Sequence, residues 1–341
     1  MHKVLDSSCN EWNTYIEMFS KEKRDIYFTR EYMNLYEKNG DGIAKLFVYE
    51  EKDEVAIYPF LMNKIEGYKL DKDYYDIQTA YGYGGPISST DEDGFLKSFE
   101  NEFLDFCNKN NIVAEFIRFH PCIKNQKVFN KNITILENRT TVVVDVSKPQ
   151  DEIWMDDIKG KNRNMIRKSE KNGLTVEIYN DYSTFKNIYE ETMGKVDAEG
   201  YYYFKDEYYN TMQEDRNYIM LNVKYDNETI ASAIFMSYEE YFHYHLAGSK
   251  KEYLKFAPNN LLLWEAIKYA NSNGKKIFHL GGGLTNSLED NLFKFKSSFS
   301  KEYLKFYIGK RVHNQEIYSH LINEWEKKNN KKASILLQYR L

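Results

Sequence analysis

The sequence predicts an α/β chain made of two tandem copies of one domain, and three observations carry that prediction. A Tyr-Phe-x-x-Glu-Tyr-x-Asn segment at residues 27–34 recurs at 203–210. Each copy runs into two alternating apolar stretches split by a polar turn. These are 43–50 and 54–62 around Glu51-Lys52-Asp53, then 217–225 and 229–238 around Asp226-Asn227-Glu228, the pattern of a β-hairpin. A helix-period segment and a strand follow each hairpin. In the first half Leu96, Phe99, Phe103 and Cys107 share a helical face before the strand 115–120; in the second Leu263, Ile267 and Ala270 do so before 276–280. A long period that occurs only twice marks a duplicated domain rather than a solenoid.

The length of 341 residues fits two domains, each large enough to bury its own core. Hydrophobic residues make up 42% and charged residues 29%, with no long apolar run, which excludes a disordered tail and a membrane-spanning chain. The opening MHKVLDS has no apolar signal-peptide core, so the cytoplasm is expected. Three cysteines at wide spacing give neither a disulfide framework nor a zinc pair, and the seven histidines lack metalloprotease spacing, so no metal is expected. A net charge of −5 argues against duplex DNA as partner while leaving room for a local basic strip. The 30 tyrosines and 21 phenylalanines accompany much Lys, Asn and Ile, a coding bias, so they do not by themselves indicate a stacking surface.

The boundary is expected after the β-rich run 141–146, where Ser147 and Gln150 have capping-box spacing and Pro149 suits a first helical turn. That gives an N-terminal domain of 1–147 and a C-terminal domain of 148–311. A helix at 315–328 and the apolar end Ile335-Leu336-Leu337 are expected to return to the first domain, adding 312–341 to it.

Four segments could carry chemistry, each with a structural reading beside the functional one. In YGYGGPIS (81–88), glycines permit positive φ and close approach of a ligand to backbone N–H groups, and Tyr81 and Tyr83 offer faces and hydroxyls; a structural turn fits equally. The basic run Lys159, Lys161, Arg163, Arg167, Lys168, Lys171 places Arg163, Arg167 and Lys171 on one helical face, where they could meet phosphates or be simply solvated. His243 and His245 fall on one face of a strand, positions from which a general base near neutral pH could act, and Asn259 and Asn260 open a long helix whose free N–H groups suit an anionic or carbonyl oxygen. Hydrogen-bonded strand histidines and a plain helix cap fit the same residues. Finally, Gly281-Gly282-Gly283 ends a strand and is followed by FKFKSSF, in which Lys296 between aromatics could hold a positive charge at a dry site or edge the core. GxGxxG and GxxxxGK[ST] are both absent, so dinucleotide and P-loop readings fail.

The ordered set YGYGGPIS, FIRFHP, KNRNMIRKSEKNGLTV, YHLAGS, APNNLLLWEAIKYA, HLGGG and FKFKSSF resembles the FemAB family of peptidyltransferases over nearly the whole chain. The resemblance implies two GNAT-like domains, each a mixed, mostly antiparallel sheet flanked by helices, and an acceptor cleft between or beside them. It implies transfer of an amino acid from aminoacyl-tRNA to an amine of a cell-wall precursor or a related acceptor; a monomer with no tightly bound cofactor is expected. Lys296 matches the family's FK lysine, expected to stabilise the reacting carbonyl or an RNA phosphate. Tyr81, Gly84, Gly85 and Pro86 match the acceptor loop, and Ala257-Pro258 the start of the second long helix. Where tRNA-dependent members place basic residues against a nucleotide diphosphate, this chain has Tyr36 and Tyr203-Phe204, and it lacks the coiled-coil arm. An acyl-CoA-dependent N-acyltransferase acting on an amino sugar or small amine is the alternative, although no glycine-rich pyrophosphate loop precedes the long helix. A binding module of the same fold without catalysis is the third reading.

Overall fold

The computed structural model describes residues 2–129, 132–195 and 203–341. The first half runs β1 (His2–Asp6), α1 (Glu11–Glu17), α2 (Arg30–Asn39), β2 (Ile43–Glu51), β3 (Glu54–Lys64), β4 (Tyr75–Gln78), β5 (Ile87–Ser88), α3 (Asp93–Lys109) and β6 (Ile112–Arg118). The second runs β7 (Thr134–Asp145), α4 (Gln150–Glu152), α5 (Gly160–Lys171), β8 (Thr175–Ile178), α6 (Tyr182–Lys195), α7 (Asp206–Gln213), β9 (Tyr218–Tyr225), β10 (Glu228–Tyr238), β11 (Tyr241–Ser249), α8 (Pro258–Ser272), β12 (Ile277–Gly281) and α9 (Asn291–Lys296). β13 (Glu302–Val312) and α10 (Gln315–Asn329) close the chain.

Two compact units result, Met1–Asn138 with Phe306–Leu341, and Arg139–Lys305. The division falls inside β7 and β13 rather than at 147/148 and 311/312, because both strands run through the change of unit without a break. Nor does the capping box form. Ser147 Oγ donates to Asp145 Oδ1, Gln150 Nε2 reaches Asn271 Oδ1, and Pro149 precedes a helix of only three residues.

In the first unit the strands lie in the order β1-β2-β3-β4-β6-β13, with β5 on β3; in the second the order is β7-β12-β11-β10-β9-β8. The two orders share one logic. An antiparallel hairpin, β2–β3 or β9–β10, leads to a strand that pairs in parallel with the next across a helical crossover, β4 with β6 through α3 and β11 with β12 through α8. The second hairpin turns on Asp226 and Asn227, both at positive φ, as a two-residue turn of this twist requires. The repeated Tyr-Phe segments both lead into helices. Thr29 caps α2 by accepting from Tyr32 N–H, whereas Lys205 at the matching place of α7 offers no such side chain.

Each unit has its own core. Phe47, Tyr58, Phe60, Phe99, Phe103 and Phe129 interlock in the first, and the predicted face of α3 supplies Phe99, Phe103 and Cys107. In the second, Leu263, Ile267 and Ala270 of α8 meet Phe235, Phe242 and Phe278. The C-terminal return packs Leu321, Trp325, Leu337 and Tyr339 against Val113 and Ala114, although Ile335 stays exposed. Among the described residues no helix is long and apolar enough to cross a membrane.

Candidate active site

In the second unit β11 and β12 are paired in parallel from Tyr241/Ile277 to His243/His279 and then part. Beyond that point β11 carries Tyr244, while β12 ends on Gly281 at φ +76, leading into residues 282 and 283. Lys296, the last residue of α9, lies across this opening. Its Nζ donates to the Gly282 carbonyl at 2.8 Å and lies 5.6 Å from the centre of the Tyr244 ring. A Cβ on Gly281 would approach that Nζ to 3.4 Å, so the absent side chain helps to keep the ammonium uncovered on that side. Lys296 is 8% exposed, and among the described residues no carboxylate lies within ion-pair distance of it. Burial therefore pulls its ammonium down to about 7, with Asp290 opposing the shift and Arg139 adding to it.

The turn that receives the lysine is fixed by two side chains. Asp290 accepts from Phe293 N–H at 3.0 Å, which caps α9, and from Thr285 N–H at 3.1 Å. Burial opposes its charge, but these N–H donors outweigh that and keep the carboxyl below its usual range. Arg139 of β7 donates to the Gly283 carbonyl at 2.8 Å. Sequence reasoning singled out Lys296, Gly281 and Gly282, and the structure brings all three together. It missed Arg139 and the role of Asp290; the only signal for the latter is an acid just before a short apolar helix, a cap pattern.

The histidines are placed differently. His243 is buried, stacked with Tyr241 and edge-on to His279 at 5.6 Å. His245 Nε2 is hydrogen-bonded to Tyr208 Oη at 2.9 Å. Tyr244, between them on the strand, joins the core beside Phe235 instead. Burial, with His243 adding a smaller part, pulls His245 down to about 3, so its imidazole is neutral and takes up a further proton only weakly, unlike the base poised near neutral pH that the strand pattern suggested.

Asn259 and Asn260 also spend side-chain groups within the protein, on Ser249 Oγ at 3.2 Å and Asn162 Oδ1 at 2.7 Å. Before them a 3₁₀ turn at Lys251–Phe256 and Ala257 at φ +57 take the place of a glycine-rich loop. On α5 the basic row divides. Arg163 Nη1 donates to the carbonyls of Trp154, Met155 and Ile158, so it closes the preceding helical turn and spends that nitrogen within the protein. Lys161, Arg167 and Lys168 are exposed, and Arg167 lies over the Trp154 ring at the edge of an open cleft of about 350 Å³. Tyr203 is 42% exposed.

In the first unit, β4 and β6 part after Gln78/Phe116 just as β11 and β12 do, but the acceptor-loop motif fills the gap. Thr79 N–H donates to Phe116 O, Gly84 N–H to Arg118 O at 2.7 Å, and Asn125 Nδ2 to the carbonyls of Gly84 and Pro86. The glycines serve close packing. A Cβ on Gly82 would come within 2.6 Å of the Tyr27 ring, and one on Gly85 within 3.0 Å of Phe119. Gly84 thus offers no amide to a ligand, contrary to expectation. Tyr32 Oη donates to Tyr81 O, and the Tyr83 ring meets Tyr27, His120 and Phe306 edge-on. Beneath lies a fully buried Asp25–His120 pair at 2.6 Å that the sequence did not reveal. Because His120 Nδ1 accepts from Ile123 N–H, the ring proton sits on Nε2 and is donated to Asp25. Tyr36, aligned with a diphosphate position, is fully buried and so presents nothing to a phosphate.

Residues 160–296 match the acetyltransferase (GNAT) domain family, a span that opens on α5 and closes on Lys296. The UDP-N-acetylmuramoylpentapeptide-lysine N(6)-alanyltransferase of Weissella viridescens is 22% identical over 301 residues, 81% of this chain and 87% of that protein. The crystal structure of FemX superposes with a TM-score of 0.73 at 15% identity, covering 94% of this chain and 99% of its own. Over most of its length the chain is thus similar to a Fem-type alanyltransferase and shares the fold of FemX. The structure of L-PGS from Bacillus licheniformis shares the fold more distantly, at TM-score 0.58 and 14% identity over 90% of this chain and 92% of its own. The protein is thus an acyltransferase with a tandem GNAT-like fold, and the lysine that the sequence aligned with the FK motif is the one buried in its second GNAT-like unit.

Proposed function

We propose that the protein transfers an amino acid from aminoacyl-tRNA to an amine of a cell-wall precursor, with Lys296 as the group that stabilises the reacting carbonyl. The observation that carries this reading is a buried ammonium on one carbonyl, with no carboxylate among the described residues within ion-pair distance, at the mouth of a parted strand pair in an acyltransferase fold. Burying a cation without a counter-charge is costly, and such an arrangement is found where the charge is used. In the reaction the acceptor nitrogen, as a neutral amine, attacks the ester carbonyl. A C–N bond forms, the bond to the ribose oxygen breaks, and the amine's proton leaves with solvent or the departing hydroxyl. Between these events the carbonyl oxygen carries a negative charge, which the Lys296 ammonium would meet in a water-poor setting.

The named activity of the Weissella relative supports an alanyl group as the group transferred and a lysine-bearing muramoyl peptide as acceptor. Lys161, Arg167 and Lys168 are the exposed cations of α5 suited to the donor's phosphates. Tyr81, Tyr83 and Tyr203 are assigned to the substrates, with Gly281 and Gly282 as backbone lining of the lysine site. Acyl-CoA remains the second donor because the matched domain family is an acetyltransferase family. Against it stands the 3₁₀ turn at Lys251–Phe256, which replaces a glycine loop for pyrophosphate.

The deciding assay gives the purified protein alanyl-tRNA or acetyl-CoA together with a UDP-muramoyl pentapeptide. Transfer from the charged tRNA is expected, and Lys296→Met should lower turnover about a hundredfold, the scale of one lost oxyanion donor, with little change in KM. Transfer from acetyl-CoA alone would replace the donor, and parental turnover in Lys296→Met would reject the lysine's role.

A further inference from the structure

We infer that Arg139 is a positioning residue for Lys296, holding the turn at residues 281–283 in the shape whose Gly282 carbonyl receives the ammonium. The inference rests on reading Lys296 as the working group, but the geometry behind it is separate. Arg139 Nη1 donates to Gly283 O at 2.8 Å and, at a long 3.5 Å, toward Leu284 O. Its aliphatic stem lies against Gly282 so closely that a Cβ there would stand 2.9 Å from Arg139 Cδ and 3.0 Å from Thr140 O. On the other side of the turn, a Cβ on Gly283 would stand 2.4 Å from Asp290 Oδ1. The two glycines are therefore held between a cation from β7 and an anion from α9. The run of glycines lets both side chains approach the backbone that also receives Lys296.

The arrangement has an electrostatic consequence. The charged and titratable groups facing Lys296 are Arg139 from β7, Asp290 from the start of α9, and Tyr244 from β11, whose phenol burial pushes up and so keeps neutral. Arg139 disfavours the lysine's charge and Asp290 favours it. One guanidinium thus does two things: it fixes the hydrogen-bond acceptor of the lysine and holds the lysine's proton loosely. Both act through Lys296, and neither requires Arg139 to touch substrate.

The test is a direct titration of Lys296 in the full-length protein. The pH dependence of its reaction with an amine-specific acylating reagent is read by peptide mass spectrometry. Arg139→Gln should move the midpoint upward by about one unit from near 7, since a like charge nearby disfavours the protonated form. Asp290→Asn should move it downward, and Arg139→Lys, which retains a cation and one donor, should stay close to the parent. In the transfer assay Arg139→Gln should lower kcat tenfold to a hundredfold at nearly unchanged KM, the scale of a misplaced group about 1 Å out of position. Circular dichroism establishes that each variant is folded. An Arg139→Gln protein whose Lys296 midpoint equals the parent's would overturn the inference, as would Arg139→Lys matching Arg139→Gln in both readouts. Because the titration needs no substrate, its outcome stands apart from that of the donor assay. A shifted midpoint with no transfer activity would leave the positioning role intact and remove only the proposed reaction.

Discussion

Both units part a parallel strand pair after a hairpin and a helical crossover, and they treat the gap in opposite ways. In the first, the backbone of residues 79–86, the Asn125 side chain and a ring of tyrosines fill it. These buried groups each have a hydrogen-bonding or oppositely charged partner: His120 meets Asp25, Arg311 meets Glu100 at 2.6 Å and Glu115 at 3.2 Å, and Arg340 meets Asp76. In the second, the gap receives one lysine on one carbonyl. A buried pair maintains a fold and hides its charge, whereas a buried single charge is available for electrostatic work. The same duplicated scaffold thus fills the gap with backbone and paired side chains in one unit and leaves it to a single buried lysine in the other.

The contrast is broken most severely by removing a partner in the first unit. Arg311→Met leaves Glu100 and Glu115 buried without their cation and should cost about 3–5 kcal/mol, measured by urea denaturation. Replacing all three at once, Arg311→Met with Glu100→Leu and Glu115→Met, should recover most of that loss, since no charge is then left uncompensated. If the single variant is as stable as the parent, the first unit's charges are not structural pairs and the comparison fails.

Lys296 should behave in the opposite sense. Its pKa falls from 10.5 to about 7 on folding, so between those values the unfolded chain binds more protons and stability rises with pH through that window. Below pH 7 the folded protein bears the whole cost of a buried ammonium. Lys296→Met should therefore be more stable than the parent at pH 6, by on the order of a few kcal/mol, and should lose the rise between pH 7 and 10. A methionine variant less stable than the parent at pH 6 would place Lys296 among the structural cations.

The duplication was legible because hairpin and helix periodicities depend on neighbours in sequence, as did Lys296 and its glycines through motif order. What the sequence hid is long-range. Nothing near Arg139 announces a turn at residues 281–283, and Asp25 and His120 are too far apart in the chain to read as a pair. Likewise the strand pattern placed His243 and His245 on one face correctly enough to suggest chemistry, but gave no view of Tyr208 or of the burial that keeps His245 neutral. The basic run misled for a related reason, since spacing alone cannot tell a cation facing water from one folded back onto carbonyls.

That last distinction extends the comparison to the surface of the second unit and gives the smallest effects. Arg163→Ala removes the donor to three carbonyls and should cost about 1–2 kcal/mol of stability, whereas Lys168→Ala, on the exposed side of α5, should stay within about 0.5 kcal/mol. Affinity for tRNA should show the reverse order. Lys161→Ala with Lys168→Ala should weaken binding and make the salt slope less steep by one to two counterions, because each contact with phosphate releases about one. Arg163→Ala should leave that slope unchanged as long as the protein remains folded. Measured across a salt series, an unchanged slope in the double lysine variant would mean that α5 faces water alone and that the donor's phosphates are met elsewhere.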